Sequence, residues 1–320
     1  MIEVSNRFNA KNTTSHREYS YYLPSFTLAP ISEFYLGKKG TDLTPEEQRG
    51  PKAEDVTGVR QVNGITITSR WANEDDKWDK GAETYLTRDI THVTSKPEFL
   101  AKLYAFRLSD DQKKKVHDTF VGAFEGTKKY HNFSRDIKPE QSASQRYMID
   151  LSANDYMYVN QDTLEVTNAE DPRALEFVHY YLKGQSFLYN QIRKMVGSQI
   201  QGFHGEMDIG HFLANTMTNN GVLVALAPGD GLMLERVAYD RYNEFNTEKK
   251  ADIMVQRVGQ TNELEAYRKQ LVSHIAQREL KAKAFVAWMS WFDDTCADHY
   301  VTCPSIEVIE KQRGLIGKQE

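Results

Sequence analysis

Arg193 is the residue whose setting most needs a chemical reason. It lies in the run FVHYYLKGQSFLYNQIRKMVG, Phe177 to Gly197. That run reads as a strand from Phe177 to Lys183, a stop at Gly184 and a helix opened by Ser186 as N-cap. Leu188, Gln191, Ile192 and Met195 recur at helical spacing, which puts Arg193 on one face with Tyr189, Val196 and Ile200. A guanidinium among such groups either snorkels to water beside Lys194 or meets a carboxylate, because an unpaired buried charge costs several kcal/mol. The first alternative is a surface arginine; the second is a charge pair.

A second group of residues lies far upstream. In His16-Arg17-Glu18-Tyr19-Ser20-Tyr21-Tyr22-Leu23-Pro24, strand alternation puts Arg17, Tyr19, Tyr21 and Leu23 on one face and Glu18, Ser20 and Tyr22 on the other. Two aromatics beside an arginine suit an RNA base and its phosphate. The same residues also suit a tyrosine-rich core strand. His131 has no Ser, Cys or Asp constellation near it in sequence and reads as a packed histidine. Gly229 and Gly231 lack the pattern of a phosphate cradle and read as turn residues.

These groups need a scaffold, and the composition allows one. The chain has 320 residues, 40% apolar and 27% charged, enough for one large domain or two small ones. No run has the apolar length of a membrane span, and no signal-peptide core is visible, so no membrane partner is expected. Cys296 and Cys303 make neither a disulfide framework nor a zinc pattern, which suits a reducing compartment. The net charge of −5 argues against indiscriminate nucleic-acid binding but leaves room for a local basic groove.

The order of elements follows from punctuation. Residues 31–95 read as a polar insertion rich in charges and turn formers, with one hairpin strand at Gly64 to Ser69. Ser109 and Gln112 form a capping box, and Val116, Phe120 and Phe124 make the inner stripe of the helix that follows, ending at Gly126. Arg146 to Leu151 reads as a strand, with a turn at Asp171-Pro172. A short helix near Asp208 to Met217 packs through Ile209, Phe212 and Leu213. The turn from Ala227 feeds a strand closing at Tyr242. Leu264 to Trp291, with Leu271, Ile275, Leu280, Phe285 and Trp288, reads as helices on the sheet, and the tail from Lys311 is polar.

Four stretches then carry a resemblance: FNAK with REYSYYLPSF, EGTKKYHNFS, GQSFLYNQIRKMVG, and APGDGLMLERVAYDRYN, in that order over residues 7 to about 246. Together they resemble the TruA-like tRNA pseudouridine synthases, the eukaryotic branch in particular. The resemblance implies an α+β pseudouridine synthase fold with a mostly antiparallel central sheet flanked by helices. It implies tRNA or another structured RNA as partner, no metal, no organic cofactor, and a nuclear setting with the mitochondrion as alternative.

Residue by residue, it implies that Tyr19 packs against the target base and that Arg193 pairs with the catalytic aspartate. Arg17, Phe187, Tyr189, Leu232 and Leu234 would line the base site. The family carries its nucleophilic aspartate in a G-R-T-D-x-G loop upstream of the R-x-Y-x-Y strand. No Arg-Thr-Asp occurs here, and Asp79-Lys80-Gly81 is only a superficial echo inside the insertion.

The expectation is therefore a remnant of the N-terminal half in 1–30, the insertion in 31–95, the C-terminal half in 96–246 and a helical extension in 247–320. The aspartate would come from a missing half or a separate polypeptide, and the exposed strand edge would be covered by the insertion or a partner. The alternative is a non-catalytic RNA-binding or assembly subunit of the same descent.

Overall fold

The structure is a computed structural model. It describes residues 8–34, 97–135, 137–219, 221–222, 224–245 and 262–301, with three further strands within 59–88 described as backbone alone. In chain order the strands are β1 (His16–Pro24), β2 (Val59–Val62), β3 (Ile65–Thr68), β4 (Tyr85–Arg88), β5 (Gly126–Lys129), β6 (Gln145–Asn160), β7 (Val166–Thr167), β8 (Ala174–Gly184) and β9 (Leu232–Ala238). The helices are α1 (Ile31–Phe34), α2 (Pro97–Tyr104), α3 (Asp110–Phe124), α4 (Gln191–His204), α5 (Ile209–Thr216), α6 (Asp240–Glu244), α7 (Asn262–Ala282) and α8 (Ala284–Val301). None of the described helices is long and apolar enough to cross a membrane.

One six-stranded sheet runs β5-β6-β8-β1-β9, with β7 beside β6, and all its pairings are antiparallel. This is the expected α+β fold with a mostly antiparallel sheet. The hairpin strand expected at Gly64 to Ser69 is β3, the middle of a separate three-stranded sheet, β2-β3-β4. Asp79-Lys80-Gly81, Cys303 and the tail from Lys311 fall outside the described residues. No described strand pairs with the outer edge of β9.

The sheet has two unlike faces, and β1 shows why. Arg17 stands opposite Gly184, Tyr19 opposite Leu182 and Tyr21 opposite Tyr180, so these residues share the face that α3 and α4 cover. Tyr21 and Tyr180 are fully buried there, and Phe120 of α3 meets Tyr180 edge-to-face, 4.9 Å between centroids. The capping box on α3 is formed as its sequence requires: Ser109 accepts from the Gln112 amide, and Gln112 accepts from that of Ser109. Val116, Phe120 and Phe124 are completely buried. α5 likewise starts from Asp208 as N-cap and buries Ile209, Phe212 and Leu213.

The opposite face carries Glu18, Ser20 and Tyr22, and α7 closes over part of it. Arg268 of α7 forms a forked pair with Glu235 of β9, both contacts at 2.7 Å through Nη2. The carboxylate of Glu235 accepts the Ser20 hydroxyl at 2.5 Å. His179 reaches Ser20 at 2.6 Å through Nε2 and Asp155 at 3.2 Å through Nδ1. α8 is tied to the rest by Trp288, whose indole donates to the Leu226 carbonyl at 3.1 Å, and by a fully buried Asp293–His204 contact at 2.8 Å.

Two sequence expectations are corrected at the edges of elements. The strand expected to close at Tyr242 ends at Ala238, and Asp240–Glu244 is a helical turn. β8 begins at Ala174 and β6 runs to Asn160, both longer than the patterns at Phe177 and Leu151 announce. Long antiparallel partners extend these strands past the residues that favour them locally.

Where α7 gives way to α8, Glu279 is fully buried. It accepts the Tyr104 hydroxyl at 2.9 Å and the Phe285 amide at 2.6 Å. Burial nevertheless outweighs these bonds and pushes its carboxyl up to about 7. Because that value lies above the unfolded one, the stabilisation of the protonated form is complete at low pH and disappears as pH rises through about 7. Glu279→Gln is expected to raise stability by roughly 2–3 kcal/mol at about pH 8 and to change little at about pH 4. Urea unfolding at the two pH values measures the difference.

Candidate functional site

The site lies at the end of the helix-covered face, where β1, β8 and β9 run out beyond the helices. Tyr19 is half-buried, and its ring meets Phe187 edge-to-face, 5.0 Å between centroids. Burial raises the Tyr19 phenol above its usual range, and the nearby Arg17 charge opposes that shift. Across the β1–β9 ladder Tyr19 stands opposite Leu234 and Tyr21 opposite Leu232. Leu234 is 51% exposed, an uncovered apolar side chain beside an aromatic one.

Gly184 explains how Phe187 reaches that position. A Cβ on Gly184 would lie 2.8 Å from Phe187 Cζ and 3.1 Å from Met148 Cε, so the ring rests on the strand where a side chain is missing. The chain between Gly184 and the helix is therefore a folded loop. Asn190 has φ of 63°, the left-handed region, and the Leu188 amide is held by Gln191 Oε1 at 2.8 Å.

This corrects two expectations. The helix starts at Gln191 rather than after Ser186, and its N-cap is Asn190. Tyr189 consequently does not share a helical face with Arg193; it sits in the loop, 57% exposed.

Arg193 is half-buried near the start of α4. Its Nε donates to the Ala227 carbonyl at 2.7 Å, and the Ala227 amide donates back to the Arg193 carbonyl at 3.2 Å. A Cβ on Gly229 would lie 3.7 Å from its guanidinium carbon. The turn it touches is itself fixed. Tyr21 donates its hydroxyl to the Pro228 carbonyl at 2.6 Å, and Asp230 pairs with Arg278 of α7. A Cβ on Gly197 would fall 2.0 Å from the Ala225 carbonyl oxygen, so α4 lies directly against this segment.

Among the described residues no carboxylate pairs with Arg193. The nearby acid, Asp230, is engaged by Arg278. The guanidinium is thus neither free in solvent nor paired with an acid of the described residues; a backbone carbonyl holds it.

The structure therefore brings Arg17, Tyr19, Phe187, Leu232 and Leu234 to one end of one face. The turn at residues 227–231 links them to Arg193, while Tyr189 stands apart on the surface. His131 is buried in a short 3-10 turn, and Gly229 and Gly231 are turn residues.

Residues 121–240 match the family described as tRNA pseudouridine synthase. Over those residues the chain is similar to that family. It is 32% identical to Pseudouridylate synthase 1 homolog of Mus musculus over 59% of this chain and 39% of that protein. It is 24% identical to tRNA pseudouridine synthase 1 of Yarrowia lipolytica over 74% of this chain and 45% of the relative. With tRNA pseudouridine synthase 1 of Kluyveromyces lactis the identity is 22% over 99% of this chain and 55% of the relative. The chain thus spans about half the length of the curated relatives it matches, or somewhat less.

Sequence reasoning missed the role of Gly184 and the engagement of Arg193 by a carbonyl. Gly184 carries a signal, a glycine closing an aromatic strand, but the ring that needs it is identified only in three dimensions. Gly184→Ala is expected to cost about 1–3 kcal/mol, because the displaced Phe187 ring has no other seat. Adding Phe187→Leu should recover much of that loss in the double variant, and thermal melts of the single and double variants measure it.

Proposed function

We propose that this chain presents a uridine of tRNA for isomerisation to pseudouridine, with the catalytic aspartate supplied from outside the described residues. The observation that carries the reading is Arg193. It is a half-buried guanidinium without an acid partner among the described residues, held by one carbonyl of the turn to which Tyr21 of β1 also donates its hydroxyl. A cation desolvated in this way favours an incoming carboxylate and keeps it ionised.

In the reaction the N1–C1′ bond of uridine breaks and a C5–C1′ bond forms, C5 loses its proton and N1 gains one. The aspartate serves as nucleophile. The uracil would pack on Tyr19, supported by Phe187, against Leu232 and Leu234, while Arg17 offers a charge at the mouth. Arg193 would fix the aspartate carboxylate in its ionised form.

A second reading has its own observation. No Arg-Thr-Asp occurs in the sequence, which favours an RNA-binding or assembly subunit that has lost the chemistry. Tritium release from C5-labelled uridine in a tRNA transcript separates the two, measured with the chain alone and with a polypeptide carrying a G-R-T-D-x-G loop.

The first reading expects release only in the combined reaction, reduced about 100- to 1000-fold by Arg193→Ala and partly restored by Arg193→Lys. Release by the 320-residue chain alone would show that no second source of aspartate is required. No release with any source of the loop would leave the subunit reading.

A further inference from the structure

We propose that Lys194 and Arg135 form a phosphate-binding pair that grips the RNA backbone beside the base site. The proposal rests on the tRNA reading given above and assigns residues that it does not use. Lys194 follows Arg193 on α4, so its side chain leaves the helix about 100° away and serves a different surface. Its ammonium is half-buried and has one bond, to the Asn132 carbonyl at 2.9 Å.

That carbonyl is a rigid seat. The Asn132 side chain donates through Nδ2 to the Thr216 carbonyl at 2.8 Å and accepts the Val222 amide through Oδ1 at 3.0 Å. Two residues on, Ser134 donates its hydroxyl to the Tyr189 carbonyl at 3.1 Å. The segment 132–135 is thereby fastened both to α4 and to the loop before it, so exposed Arg135 lies three residues from the carbonyl that Lys194 holds. Burial and then the Arg135 charge hold the Lys194 pKa below its usual value.

Two cations near one another, one of them half-buried, are an unfavourable arrangement in a protein whose net charge is −5. Among the described residues neither makes an ion pair with a carboxylate. Both ammonium protons of Lys194 not given to Asn132 and the fork of Arg135 remain for an external anion. A phosphodiester suits them, and the exposed ring of Tyr189 on the adjoining loop offers a face on which a neighbouring base can stack.

The test is binding of a tRNA transcript by fluorescence anisotropy across a salt series, with the full chain and with Arg135→Gln, Lys194→Gln and Lys194→Arg. Each glutamine variant is expected to make the slope of log K against log salt shallower by about 0.7 to 0.9, as for one lost phosphate contact. Lys194→Arg should retain the slope. Arg135 is exposed, so its variant reports even if Lys194→Gln fails to fold. Unchanged slopes in Arg135→Gln, with the parent chain binding tRNA in a salt-dependent way, would overturn the phosphate pair and leave the tRNA reading standing. Absence of tRNA binding by the parent chain would overturn both.

Discussion

The antiparallel pairing of β1 with β8 is the constraint on which the remaining geometry depends. It joins residues some 160 positions apart in sequence, with Arg17 opposite Gly184 and Pro24 opposite Phe177. Because side chains alternate along each strand, this register decides every neighbour of the site at once. A slip of one residue would send Tyr19 and Tyr21 to the α7 face and bring Glu18 and Ser20 under α3 and α4. The register is fixed strongly because that face is buried over most of its length by Tyr21, Tyr180, Leu182 and Phe120. Only its last two rungs emerge from under the helices, and those rungs carry Tyr19 and Arg17.

The other face of the same strands shows how polar chemistry can be structural. Asp155, His179 and Ser20 stand in the order of an acid, a base and a hydroxyl nucleophile, yet Ser20 is completely buried and donates to Glu235. With its one proton committed there, Ser20 has only lone pairs to turn toward His179. A hydroxyl whose proton goes to Glu235 has none for the ring to take. Its work is to connect β1 and β8 to the Glu235–Arg268 pair, and so to α7. α7 in turn pairs Arg278 with Asp230, which fixes the turn that holds Arg193. A back-face network thus stiffens the front-face site through one helix.

Local signals were legible where local physics decides. The capping box on α3, the stripe of Val116, Phe120 and Phe124, the two faces of β1 and the Asp208 cap of α5 all follow from short-range pattern, and each is found. The opening of α4 does not follow. Ser186 is a good N-cap by type, but the Phe187 ring is drawn onto Gly184 and against Tyr19, contacts that no window of sequence around Ser186 contains. Seating that ring removes residues 186–190 from the helix and leaves Asn190 left-handed. The position of Tyr189 changes with it. Arg193 itself was legible as a residue in need of a partner, whereas the partner, a backbone carbonyl from a turn 34 residues downstream, was not.

The engagement of Arg193 by a carbonyl has a thermodynamic meaning. A neutral acceptor satisfies one N–H of a guanidinium but returns only part of the solvation lost on half-burying the charge. The site therefore retains an unmet electrostatic demand, held in place by a helix that cannot retreat because Gly197 already lies against Ala225. Such a demand is unfavourable for the isolated fold and favourable for whatever anion completes it, since the geometry need not reorganise when the anion arrives. Lys194 repeats the pattern one residue later, with Asn132 as its neutral acceptor. Two successive cations on one helix, each held by a carbonyl and neither given an acid among the described residues, thus serve two different places: Arg193 the turn that Tyr21 of β1 also holds, and Lys194 the segment that carries Arg135.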